Sequence, residues 1–255
     1  MPIFNSTGVD LFYSVKGNGI PIVFIHPPVL TSINFIYQME ELSSFFKVIT
    51  FDIRGHGNSE SSLEPLSYPL IVEDIKRLMK HLEIEKAYIC GYSTGGSIVL
   101  EFLLSAGEMA LGGIVIGGMS EVMDQHLKRK ISIGRYLSKS KAVPVLALSV
   151  CRSNANPMSL FFKMYAESIK GNAKNIEQYY RYSLHYKCTD QLHTIKHPLL
   201  LVYGKDDKRF HDYANLLHQK LPFNELKFID NVKHQIPTKT SKELNKLITN
   251  FVHSQ

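Results

Sequence analysis

Ser93, the adjacent acids Asp206 and Asp207, and His234 are of the types that act together as nucleophile, orienting acid and base. Ser93 sits in Gly91-Tyr92-Ser93-Thr94-Gly95, a G-x-S-x-G turn between the apolar run Ala87 to Cys90 and the mostly apolar segment Ile98 to Leu104. A strand that reverses into a helix within one or two residues strains its central residue. Gly91 and Gly95 have no Cβ to collide there, so Ser93 can stand on the tip with its Oγ exposed. The helix N-terminus just beyond offers unpaired N–H groups and a positive dipole end to a developing oxyanion. Taken alone, the pentapeptide also fits a glycine-rich turn whose serine merely caps the helix. Context must decide.

A serine hydroxyl needs a base to take its proton and a carboxylate to orient that base. Two late apolar runs lead into both. Pro198 to Tyr203 runs into Gly204-Lys205-Asp206-Asp207, and Glu225 to Ile229 runs into Asp230-Asn231-Val232-Lys233-His234. In an open parallel sheet such loops lie at the carboxyl ends of strands, where the serine turn also lies. The order Ser, acid, His suits that architecture. Asp206 and Asp207 also fit a solvated turn, and Glu121 is a weaker substitute for the acid. His56 reads as support for a tight turn, while His193 and His211 have no supporting context.

The elements that must position these groups alternate along the chain. Leu11 to Val15, Pro21 to Ile25, Lys47 to Phe51, Ala87 to Cys90 and Gly112 to Ile116 read as strands, joined later by Pro198 to Tyr203 and Glu225 to Ile229. Continuous apolar runs such as Pro-Ile-Val-Phe-Ile are typical of strands buried on both faces. Ser32 to Phe46 reads as a helical connection. Ile71, Ile75, Leu78, Met79 and Leu82 form one stripe of a helix over Leu70 to Leu82. Asp212 to Leu221 and a last helix opened by a Thr240-x-x-Glu243 capping box complete the pattern. The fold class is therefore α/β, with a mostly parallel, doubly wound sheet.

Residues 119–190 break the alternation. Helices are expected around Glu121–Ser138, Met158–Gly171 and Asn175–His185, forming a cap inserted into a core of residues 1–118 and 191–255. This segment holds 12 Lys/Arg against 5 Asp/Glu, more than the whole of the +6 net charge. The excess could draw an anionic acyl substrate or a membrane surface; a set of solvated helices is the plainer reading.

At 255 residues, with 44% apolar and 20% charged, one globular domain with an insertion is expected. The N-terminus lacks a basic segment followed by an apolar one, and no apolar run reaches transmembrane length. Neither a secretory signal nor stable membrane insertion is expected. Cys90, Cys151 and Cys188 are scattered, which suits reduced, buried thiols in a cytoplasmic protein. The histidines show no metal-ligand spacing. No metal, cofactor or nucleic-acid partner is expected; the partner expected of a serine nucleophile is a small acyl substrate.

The chain resembles the α/β-hydrolase superfamily, in its branch of single-domain, esterase-like enzymes with a helical cap. The resemblance rests on the serine turn, on Asp52-Ile53-Arg54-Gly55-His56-Gly57-Asn58-Ser59, and on the acid and histidine loops, and it covers the chain outside the cap. It implies that the acid is Asp207, three residues after Gly204, and that the base is His234. Lys233 replaces the glycine common before that histidine, and Pro237 falls one residue late. The largest departure is His26-Pro27-Pro28-Val29. In the family the residue at position 28 gives its N–H to the oxyanion, and proline has none. The donors implied are Thr94 and, with a shifted loop, Val29; a single-donor hole is the alternative.

The implied activity is hydrolysis of a small ester or thioester through an acyl-enzyme. An aspartate nucleophile, as in haloalkane dehalogenase and epoxide hydrolase relatives, is absent, as is the H-G-G-P-G loop of proline-releasing peptidases. A C–C bond hydrolase or acyltransferase on the same triad, or a ligand sensor with slow turnover, are the other readings.

Overall fold

The computed structural model describes residues 2–255. Its strands are β1 (Ile3–Ser6), β2 (Val9–Lys16), β3 (Pro21–Ile25), β4 (Lys47–Phe51), β5 (Ala87–Tyr92), β6 (Ala110–Ile116), β7 (Leu199–Gly204) and β8 (Asn224–Ile229). They form one sheet in the order β1-β2-β4-β3-β5-β6-β7-β8. β2 is antiparallel to both neighbours, and β4 to β8 run parallel with β3. Helices α1 (Ile36–Leu42), α2 (Tyr68–His81) and α3 (Thr94–Ser105) follow β3, β4 and β5 in turn. Then α4 (Gln125–Lys139), α5 (Val143–Asn154), α6 (Met158–Ser168) and α7 (Ala173–His185) fill the chain between β6 and β7. Helix α8 (His211–Lys220) joins β7 to β8, and α9 (Ile236–Lys239) and α10 (Ser241–Ser254) close the chain.

Both faces of the central strands are buried, as their unbroken apolar runs require. Val23 and Ile25 face a core shared with Ile71 and Ile75 of α2, Ile98 of α3 and Leu217 of α8. Ile22 and Phe24 face the opposite core, with Leu42 of α1 and Leu244 and Ile248 of α10. The sheet is thus covered on both sides, and every parallel strand delivers its carboxyl end to one edge.

Four details depart from expectation. β1 is not among the expected strands: it pairs with β2 through a two-residue turn at Thr7 (φ 52°) and Gly8 (φ 80°), a hairpin geometry that Thr-Gly signals weakly. Nor is α5 among the expected helices; Pro144 sits in its first turn, a place that accepts proline. The first inserted helix begins at Gln125 rather than Glu121, since the Asp124 carboxylate accepts from the Leu127 N–H (2.9 Å) and caps it there. The Thr240 capping box does not form. The preceding turn, α9, already occupies that hydroxyl, which donates to the Ile236 carbonyl (3.3 Å).

Helix α7 is stitched to the core by its polar face. The Asn172 N–H donates to the Gly55 carbonyl (2.8 Å). The Asn175 and Gln178 side-chain oxygens accept from the Ser62 (3.0 Å) and Leu66 (3.1 Å) N–H groups.

Candidate active site

Reversal from β5 into α3 falls on one residue. Ser93 adopts φ 56°, ψ −122°, a strained conformation. A Cβ on Gly91 would lie 2.1 Å from the Gly95 carbonyl oxygen, and one on Gly95 would lie 2.3 Å from the Ile25 carbonyl oxygen. Only glycine fits either place. The Ser93 N–H donates to the Ile116 carbonyl (2.8 Å), which pins the turn to the neighbouring strand.

The acid and base loops meet because β7 and β8 pair up to Gly204 and Ile229. Beyond that register, the Asp206 N–H donates to the Val232 carbonyl (3.0 Å). His234 Nδ1 then lies 3.0 Å from Asp207 Oδ2, and its Nε2 lies 2.9 Å from Ser93 Oγ. With the proton on Nδ1, directed at the carboxylate, Nε2 presents a lone pair to the serine hydroxyl. The imidazole packs against the rings of Phe210 (4.4 Å) and Tyr92 (5.3 Å). Gly117 leaves room for it, since a Cβ there would stand 3.0 Å from His234 Cε1. So the three sequence candidates are brought together. The alternatives are not: Asp206 is exposed, and Glu121 accepts from Thr189 Oγ1 and faces Lys187 (3.7 Å). His211 packs on Phe228 instead.

The loop after β3 shows how the Pro-Pro pair is accommodated. His26 is fully buried; Nδ1 donates to the Pro27 carbonyl (2.9 Å) and Nε2 accepts from the Ile53 N–H (2.9 Å). Burial lowers its pKa to about 4, so the ring is neutral. Val29 is in the left-handed region (φ 73°), an outlier for a β-branched residue. Its side chain is committed to a cluster with Val143, Leu146, Ala147 and Ile176. Among the described residues no acceptor is paired with the Val29 N–H, while Pro28 and Leu30 on either side line a cavity. The Thr94 N–H opens α3 and has no intrahelical acceptor.

That cavity, about 360 Å³, is bordered by Ser93, Thr94 and His234. Its walls include Leu30 from the core, Met119 at the start of the insertion, and Leu127, Ile131, Leu137 and Leu146 from the inserted helices. Tyr92, Asn154 and Lys130 also line it and were not singled out by sequence. The Tyr92 hydroxyl donates to Asn154 Oδ1 (3.1 Å), tying α5 to the serine turn. Its position beside the nucleophile was the available signal.

The Asp52–Ser59 motif is a brace. The Asp52 carboxylate accepts from the Ser32 (2.8 Å) and Asn58 (3.0 Å) N–H groups, and Arg54 makes a buried ion pair with Asp74 (2.6 Å). His56 is buried and neutral, its Nδ1 bonded to the Arg54 carbonyl (3.1 Å). Asp74 lies on the otherwise apolar face of α2, which periodicity alone does not explain.

A family model described as the alpha/beta hydrolase fold matches residues 20–130. The AB hydrolase superfamily protein YisY of Bacillus subtilis (strain 168) is 27% identical over 272 residues, covering 96% of both chains. The fold matches the esterase EaEST from Exiguobacterium antarcticum with a TM-score of 0.86 at 20% identity, over 96% of both chains. It matches the enol-lactonase from Burkholderia xenovorans LB400 equally well, with a TM-score of 0.86 at 16% identity, over 99% of this chain and 100% of that one.

Proposed function

We propose that this chain, which belongs to the α/β-hydrolase superfamily, is a serine hydrolase that cleaves a small ester or thioester through an acyl-enzyme. One observation carries the reading: a single imidazole bridges Ser93 Oγ and Asp207 Oδ2 at the floor of a mostly apolar cavity. Ser93 Oγ attacks the substrate carbonyl as its proton passes to His234 Nε2. Asp207 holds the ring and stabilises the imidazolium that forms. The Thr94 N–H, joined by the Val29 N–H, receives the negative oxygen of the tetrahedral intermediate. His234 returns the proton to the departing alcohol or thiol. Water then attacks the acyl carbon by the same route and frees the acid and Ser93.

Residues 119–190 act as the cap that closes the cavity and selects the acyl group. The three unpaired, buried cysteines support a cytoplasmic location. Among the described residues no helix is long and apolar enough to cross a membrane.

The test is labelling with a fluorophosphonate, followed by turnover of short-chain p-nitrophenyl esters. Rapid labelling with appreciable turnover is expected, and Ser93→Ala should abolish both. Turnover that survives Ser93→Ala overturns the assignment. A second reading, a ligand sensor with slow turnover, is favoured by Pro28 at the usual donor position. It predicts labelling with almost no turnover.

A further inference from the structure

Lys130 is, apart from His234, the one charged-type side chain among the residues that line the cavity. It belongs to the face of α4 that carries Leu127, Ile131 and Gly134, all of them cavity residues at helical spacing. Unlike those neighbours it is exposed, so it lines the cavity on a side open to solvent.

No carboxylate pairs with it among the described residues. Every acid of residues 119–190 is engaged elsewhere. Glu121 and Asp190 face Lys187 (3.7 and 3.8 Å), and Glu177 holds Arg135 (2.7 Å). Glu167 holds Lys170 (2.8 Å) and Asn58 (2.7 Å). Asp124 caps α4 and accepts from the Tyr213 hydroxyl (2.6 Å). A cation beside an apolar cavity, inside a segment of excess positive charge, lacks an anion that the protein itself does not provide.

We propose that the substrate carries a carboxylate several bonds from the scissile carbonyl, held at the cavity mouth by Lys130. The assignment rests on the serine-hydrolase reading and specifies its substrate class. The aliphatic stretch between carbonyl and carboxylate lies along the apolar wall, and the carboxylate stays at the wet rim, where keeping it charged costs little desolvation. Either half of the ester can supply the anion, so two probe pairs are needed.

For the acyl half, p-nitrophenyl hemiglutarate is compared with p-nitrophenyl valerate, which replaces the carboxylate by a methyl group. For the leaving half, 4-carboxyphenyl valerate is compared with its methyl ester. In one pair the anionic member should have a kcat/KM about fivefold higher at low ionic strength, the upper range for an exposed ion pair. The advantage should shrink with added salt. Lys130→Glu should reverse the preference and Lys130→Arg should keep it. Lys139→Glu and Lys174→Glu, away from the cavity, should leave it unchanged.

No anionic preference in either pair overturns the proposal, as does a preference that Lys130→Glu leaves intact. Equal loss in Lys139→Glu replaces the contact by the overall field of the segment and also overturns it. Fluorophosphonate labelling of the unaltered chain separates the two readings. Without labelling the serine mechanism itself fails; labelling without a Lys130 effect removes only the carboxylate.

Discussion

Gly204 and Lys233 pass so close that a Cβ on Gly204 would stand 2.1 Å from the Lys233 carbonyl oxygen. This contact lets the end of β7 and the loop after β8 converge, so Asp207 and His234 can meet across it. Gly204→Ala must force the two loops apart. Loss of more than tenfold in kcat is expected, together with a lower melting temperature. Michaelis kinetics and a thermal melt check it; normal kcat would mean the convergence is not needed.

Asp207→Asn should lower kcat by about 10⁴, because the neutral amide no longer enforces the productive tautomer. Asp206→Asn and Glu121→Gln should stay within about twofold, since neither carboxylate touches His234. Steady-state turnover of one p-nitrophenyl ester compares all three, and a large loss in Glu121→Gln would reassign the acid.

Val29→Gly separates backbone from side chain at the proposed second donor. Glycine keeps the N–H and accepts φ 73° without strain. It also empties part of a buried cluster. Turnover should therefore stay within a few fold while the urea midpoint falls. A drop of about 10²–10³ in kcat, the size of one lost oxyanion donor, would show that the valine side chain sets the loop.

His26 makes folding acid-sensitive. Its pKa falls from 6.5 to about 4 on burial, so the unfolded chain binds a proton near pH 6.5 that the folded chain refuses. Stability from this source is complete above pH 6.5, drains away as pH falls and levels off below pH 4. The loss at pH 5 is about 2 kcal/mol. His56, lowered to about 3, acts in the same direction. Asp52, whose carboxyl is pushed up by burial, acts in the opposite one, its contribution present at low pH and lost as pH rises. Urea unfolding at pH 7.5 and pH 5 should show a smaller pH difference for His26→Asn than for the unaltered chain. An unchanged difference would sink the assignment.

Much of this was legible in the chain. Runs such as Pro21–Ile25 and Leu199–Tyr203 announce doubly buried strands, and the glycines at 91 and 95 announce a turn that only they fit. The carboxyl-end rule then places Ser93, Asp207 and His234 on one edge. What stayed hidden depends on distant contacts. The left-handed Val29 is held by residues of α5 and α7, over a hundred positions away, so no local pattern records it. Asp74 makes sense only once Arg54 is beside it. Lys130 looks like any surface lysine until the cavity is seen, and Thr240 looks like a cap until α9 is found in front of it.

The Tyr179 hydroxyl, on α7, donates to the His26 carbonyl (3.0 Å), at the root of the loop that bears Val29. Whatever moves α7 therefore reaches the proposed catalytic machinery. So does whatever moves α5, through Asn154 on Tyr92 and through Val143, Leu146 and Ala147 on Val29. Among the described residues, α4 presents a cavity wall with no hydrogen bond to either loop. Anyone retailoring this scaffold for other acyl groups should recut α4 and leave α5 and α7 alone. Specificity and rate are then adjustable by separate screws.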